Sequence, residues 1–172
     1  GIMIEVVLRA VRVDVGSSTP LLLLEEVGPG NRVLPIFIGA PEAAAIAYAL
    51  QKVETPRPMS HDLLANTISA LGGRIFNVEI ISLIDNTFFA NLRILKDGVE
   101  TLVSARPSDA VALAMRVGAP ILVSDDLMNA EGKVMMLDEE SEDDEVSPVD
   151  EAELVAELRE FLDQVNPEDF NK

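Results

Sequence analysis

The chain has 172 residues, with 30 acids, 13 bases and one histidine, for a formal charge of −17. Apolar residues reach 48% and aromatics only 4%, so a core is expected, built from Ala, Val, Leu and Ile. Cysteine is absent, which excludes disulfides, cysteine nucleophiles and thiolate metal sites. The acidic balance argues against a simple phosphate-binding surface of clustered Lys and Arg.

The charge is uneven. Residues 1–137 hold 15 acids against 11 bases, and residues 138–172 hold 15 acids against 2 bases. The expected organisation is a body over 1–130, an acidic linker over 131–147, and an amphipathic helix over 148–172. No basic, apolar leader opens the chain. The most apolar stretch, Val33 to Leu50, is interrupted by Pro35, Pro41 and Glu42 and falls short of the ~20 residues that cross a bilayer. The expectation is a cytoplasmic protein without a membrane partner.

In chain order, Ile2 to Val15 reads as a long strand, Leu21 to Val27 as a second, and Arg32 to Ile38 as a third after the Gly28-Pro29-Gly30-Asn31 turn. Pro41 opens a helix with an apolar stripe at Ala43, Ile46, Leu50 and Val53. A second helix, Ser60 to Leu71, is expected to be buried through Leu64, Ile68 and Leu71 and to end at Gly72-Gly73. Strands follow over Ile75 to Ile84, Thr87 to Leu95 and Val99 to Ala105, joined at Asp85-Asn86 and Asp97-Gly98. Pro107 opens a third helix, stopped by Gly118 and Pro120, and Ile121 to Ser124 adds a short strand. The order strand–strand–strand–helix thus occurs twice with little residue identity, an order that duplication or coincidence would produce equally well. Hairpins dominate over crossovers, so the predicted fold is α+β, with a mixed, mainly antiparallel sheet under packed helices. Asp138 to Glu145 is acidic at seven of eight positions and reads as a mobile, solvated linker. Ser147 and Pro148 then read as the cap and first residue of a helix carrying Leu154, Leu158, Phe161 and Val165 on one stripe.

Two segments are candidates for chemistry: R-P-M-S-H-D-L-L, Arg57 to Leu64, and A-R-P-S-D-A-V-A-L-A-M-R, Ala105 to Arg116. Each places Arg-Pro ahead of a helix and Ser and Asp in or next to its first turn. Free N–H groups there favour anions, and Arg57 and Arg106 supply planar forks that suit a phosphate or a carboxylate. Ser108 is a further substrate-binding candidate. Asp62 and Asp109 suit a hard divalent cation, Mg²⁺ or Mn²⁺, with Glu42 as a further ligand, and His61 suits proton transfer. The structural alternative stands beside each assignment. First-turn acids stabilise helices unaided, Ser60 and Ser108 can serve as caps, and an arginine can pair with the Asp that follows it.

These segments, together with L-P-I-F-I-G-A-P-E-A-A-A-I at Leu34 to Ile46, resemble signature segments of the bifunctional nuclease family. The resemblance spans roughly residues 2 to 130. It implies a compact α+β domain, self-association, and hydrolysis of DNA and RNA. The functional expectation is a metal-assisted nuclease that acts weakly on nucleic acid. In it, His61, Asp62 and Asp109 are catalytic, Arg57, Arg106 and Ser108 hold substrate, and Asp62, Asp109 and Glu42 hold the metal. The alternative is a non-enzymatic module that binds a small anion or a protein partner through the same pocket.

Overall fold

The computed structural model describes residues 1–14, 16–134 and 146–148. Three strands open the chain: β1 (Met3–Asp14), β2 (Pro20–Glu26) and β3 (Arg32–Phe37). Helices α1 (Ala40–Leu50) and α2 (Ser60–Ala70) follow, then β4 (Arg74–Ile84), β5 (Thr87–Lys96), β6 (Val99–Ala105) and α3 (Pro107–Val117). The chain continues through β7 (Ile121–Ser124), α4 (Asp125–Glu131), β8 (Lys133–Val134) and β9 (Val146–Pro148).

The strands form one sheet in the order β6-β5-β4-β7-β1-β2-β3-β8, with β9 also paired to β1. Each meander is antiparallel because its connections are too short for a crossover. Asp85 and Asn86 have φ of 51° and 60°, and Asp97 and Gly98 have φ of 50° and 74°, the paired positive values of a two-residue hairpin turn. The two meanders meet through β7, which lies antiparallel to β1 and parallel to β4. The β4–β7 ladder is the one parallel pairing among the described residues. The fold is therefore α+β, with a mixed, mainly antiparallel sheet, as the turn chemistry predicts.

The main core lies between one sheet face and the helices. Leu22, Leu24, Leu34 and Ile36 of the first meander meet Ile46 and Ala47 of α1, while Val78, Ile80 and Ala90 of the second meet Val111 and Leu113 of α3. Alanines let the helices approach the sheet closely: Ala43, Ala47, Ala110 and Ala112 are wholly buried. Helix α3 ends at Gly118, whose φ is +70°, and its N–H bonds back to Ala114. A side chain there would meet nothing within 4 Å. Gly118→Ala should therefore destabilise through backbone strain alone, by about 1 kcal/mol. Urea melts should show a lower midpoint with an unchanged slope.

Several elements depart from the sequence expectation. Helix α1 ends at Leu50, since Lys52 takes φ of 52°, so Val53 leaves the helical stripe. Helix α2 buries none of its residues. Leu64 and Leu71 are 48% and 69% exposed, and Ile68 is only partly covered. Amphipathic spacing fixes which side chains share a face but not whether a partner covers it. Helix α4 is absent from the sequence expectation, because its seven residues give too little periodicity to register. Val146 to Pro148 forms a strand on Arg12 to Asp14, so Ser147 and Pro148 sit in extended backbone rather than at a helix start. The expected mobile run, Asp138 to Glu145, and residues 149–172 of the expected terminal helix lie outside the described residues. No helix among the described residues is long and apolar enough to cross a membrane.

Candidate active site

The first turns of three helices come together beside the sheet. Helix α1 starts after Gly39, with Pro41 in its first turn and Glu42 next. Helix α2 starts after Met59, which places His61 and Asp62 in its first turn. Helix α3 starts after Arg106, followed by Pro107, Ser108 and Asp109. Each N-terminus is a region of partial positive charge that favours an acid.

The side chains form two linked clusters. In the first, His61 Nε2 lies 2.8 Å from Asp109 Oδ1, joining α2 to α3. Arg106 donates from Nε to Asp109 Oδ2 at 2.8 Å and from Nη1 to Glu42 Oε1 at 2.9 Å. Burial alone would push the Asp109 carboxyl up. The bonds from Arg106 and His61 outweigh it, so the group lies below the usual carboxylate range. The Arg106 guanidinium is raised, first by its bond to Asp109 and then by Glu42. An ionised Asp109 has acceptors only, so His61 donates from Nε2, and in the neutral form of the ring this leaves Nδ1 without a proton.

In the second cluster, Arg116 at the end of α3 donates from Nε to Asp62 Oδ1 at 2.7 Å. It also reaches the carbonyls of Ala112 and Ala45 at 3.0 and 3.1 Å, so one guanidinium ties together α1, α2 and α3. The other oxygen of Asp62 accepts the Met59 N–H at 3.0 Å. Burial would raise the Asp62 carboxyl, but the Met59 N–H and Arg116 overcome it and the group is lowered. Arg116 closes the second signature segment and stands one heptad after Asp109, yet sequence reasoning assigns it no role. The i, i+7 spacing of two charged residues on an otherwise apolar helix is the available signal.

His61, Asp109, Arg106 and Glu42 are thus brought together, whereas Asp62 faces Arg116. Ser108 is 6% exposed, on the buried side of the first turn of α3. Arg57 is exposed on the approach to α2, and its side chain has no hydrogen bond among the described residues. A cavity of about 350 Å³ lies behind α2, lined by Ala65, Ile68, Arg74 and Val117, and none of the candidate residues borders it.

Among the described residues, no group of three or more His, Asp or Glu side chains is placed to hold a metal. Glu42 and Asp109 are bridged by a guanidinium, which a cation between them would have to displace. Asp62 is committed to another. Each of these three acids is paired with an arginine.

Both candidate segments fall inside the range that a known family covers. The family model described as the bifunctional nuclease domain matches residues 21–136. The chain belongs to the bifunctional nuclease domain family. A Mycobacterium tuberculosis protein, named only as uncharacterized, is 45% identical over 166 residues, covering 96% of this chain and 97% of the relative. Bifunctional nuclease 2 of Arabidopsis thaliana is 26% identical over 115 residues, 65% of this chain and 35% of the plant protein. Bifunctional nuclease 1 of the same plant is 27% identical over 122 residues, 69% of this chain and 37% of the relative. The chain therefore spans little more than a third of each of these plant nucleases.

The lowered carboxyls carry a pH signature. Asp62 and Asp109 titrate lower in the folded chain than unfolded, so their contribution to stability is complete above the unfolded carboxylate range, about pH 4. It is lost as the pH falls through their folded values. Tm should stay nearly flat from neutrality to about pH 4 and then decline. Asp109→Asn should lower Tm at pH 7, and the gap from wild type should narrow below pH 4.

Proposed function

We propose that this protein is a nuclease that hydrolyses phosphodiesters of single-stranded DNA and RNA, with His61 as the general base. The observation that carries this reading is the His61–Asp109–Arg106 chain of hydrogen bonds. Asp109 fixes the ring and its tautomer, and Nδ1 is left to take a proton from water as that water attacks phosphorus. The bond from phosphorus to the sugar oxygen of the leaving strand then breaks, that oxygen takes a proton from solvent water, and the imidazolium returns its proton to water. Arg106 is 64% exposed, and its remaining nitrogen, Nη2, is available to a phosphate oxygen. Arg57, exposed in the loop ahead of α2, is the second guanidinium offered to substrate in this reading. Asp109 is a positioning residue, and Glu42 holds Arg106 from the other side.

The charge of the site sets the scale of the activity. Glu42, Asp62 and Asp109 stand against Arg106 and Arg116, so with His61 neutral the cluster carries one net negative charge. A polyanion gains little from such a surface, which favours weak binding and slow turnover. Mg²⁺ or Mn²⁺ accordingly belongs to the proposal as an assisting cofactor, and cytoplasmic action and self-association accompany it. The exposed apolar side chains of Leu63, Leu71, Phe76 and Phe89 support association.

The test is hydrolysis of end-labelled single-stranded DNA and RNA with Mn²⁺, with Mg²⁺ and with a chelator. Wild type and His61→Gln would be purified identically, to control for contaminating nucleases. Cleavage by wild type that is reduced in the variant supports the reading. Equal cleavage by both under every condition overturns it, and the anion-binding module then becomes the better account. Loss of activity on chelation establishes the cation, and unchanged activity removes it from the proposal.

A further inference from the structure

Strand β2 is buried on both faces. Leu22 and Leu24 enter the main core with α1. On the opposite face Leu21 and Leu23 are 5% and 0% exposed, and with Val33 at 0% they form a separate cluster flanked by Ala10. No described helix contributes a residue to that cluster. Ala43, Ile46 and Ala47 of α1 and Leu127 and Met128 of α4, the helices beside these strands, lie in the main core, and no residue of either helix joins the outer cluster. Three apolar side chains on an open sheet cannot exclude water from themselves, so something covers this outer face.

Arg12 marks the same place. It stands opposite Leu21 across the β1–β2 ladder and so shares the outer face. Its Nε is buried and has no hydrogen-bond partner among the described residues. A buried guanidinium N–H requires both a cover and an acceptor. Strand β9 runs beside this residue, with Pro148 opposite Arg12. The chain therefore leaves the described residues at the margin of the covered face.

The segment beyond β9 has the required chemistry. Residues 149–172 carry Leu154, Leu158, Phe161 and Val165 at spacings of four, three and four, separated by acids such as Glu153, Glu157 and Glu160. As a helix, Leu154 to Val165 would extend roughly 18 Å, against about 10 Å across three paired strands. The stripe matches an apolar face, and the acids match Arg12. Direct attachment through β9 keeps the segment at a high effective concentration beside that face.

We propose that residues 149–172 lie as an amphipathic helix across the outer face of β1, β2 and β3 of their own chain. Leu154, Leu158, Phe161 and Val165 cover Leu21, Leu23 and Val33, and a carboxylate of the segment accepts the Arg12 Nε–H. The sheet is thus covered on both sides.

The chain has no Trp and no Cys, so single reporters can be placed without background. Phe161→Trp would be combined in the full chain with a nitroxide on Val7→Cys, a position 46% exposed on the outer face, or on Val99→Cys, 65% exposed at the far hairpin. A nitroxide quenches indole emission at short range. The label at position 7 should remove most of the emission, and the label at position 99 should leave it unchanged. Leu158→Asp should restore emission with the label at position 7. Mixtures of singly modified chains should show no quenching. Equal emission for both labels would overturn the proposal, as would equal quenching by both. Quenching that arises only in mixed chains would assign the face to a second copy and overturn docking within the chain. Circular dichroism of each variant separates failed folding from failed docking, and Phe161→Trp with the label alone suffices if Leu158→Asp does not fold.

Discussion

His61→Gln should lower the turnover of single-stranded nucleic acid by roughly 10²- to 10⁴-fold, the usual worth of a positioned general base, while leaving the fold intact. Glutamine fills a similar volume and still donates toward Asp109, but it has no nitrogen that can accept a proton. Asp109→Asn should produce a similar loss by a different route. The amide no longer demands a donor from Nε2, and the tautomer with a bare Nδ1 is no longer enforced. Because the two residues act as one unit, the double variant should lose little more than the worse single variant. Arg106→Lys retains the charge without the planar fork that spans Glu42 and Asp109, so its main effect should be a higher KM. Steady-state kinetics on an end-labelled oligonucleotide separate these outcomes. A His61→Gln enzyme with wild-type kcat would remove His61 from the chemistry.

The range of each interaction decides how much of the fold and the site is legible in the sequence. The hairpins at Asp85-Asn86 and Asp97-Gly98 and the stop at Gly118 are local, because their backbone angles suit those residue types. The Arg106–Asp109 pair is also local, spanning one helical turn, and it is the pairing that the motif offers as its structural alternative. The contacts that assemble the site are not local. Arg106 to Glu42 spans 64 positions, His61 to Asp109 spans 48, and Arg116 to Asp62 spans 54. Residue types nominate most of these groups, but only packing decides which acid meets which base. Asp62 and Asp109 look equivalent in sequence, yet one is held by Arg116 and the other orients a histidine. The exposure of α2 is hidden for the same reason, since its apolar spacing is that of a buried helix. Leu21 to Leu24 shows the limit from the other side: four consecutive leucines state that both faces of a strand are covered without stating by what.

Arg116→Met should destabilise the fold by about 2–3 kcal/mol, lowering Tm by roughly 5–10 °C for a chain of this size. Arg116 is 11% exposed and makes three hydrogen bonds, to α1, to its own helix and to Asp62. Methionine replaces the stem and preserves packing, so the measured loss reports the guanidinium. Two backbone carbonyls would lose a donor, and Asp62 would keep only the Met59 N–H. Asp62 is 37% exposed, so water takes over part of that charge, and the cost stays below that of a fully buried broken pair. Arg116→Lys should recover part of the loss, because one ammonium cannot reach all three acceptors in fixed directions. Since α2 buries no residue of its own, this clamp is a main constraint on where His61 sits. Activity in Arg116→Met should therefore fall more than the folded fraction does. Tm and kcat measured on the same preparations check this: a stability loss with unchanged turnover per folded molecule would show that His61 is held by α3 through Asp109 alone.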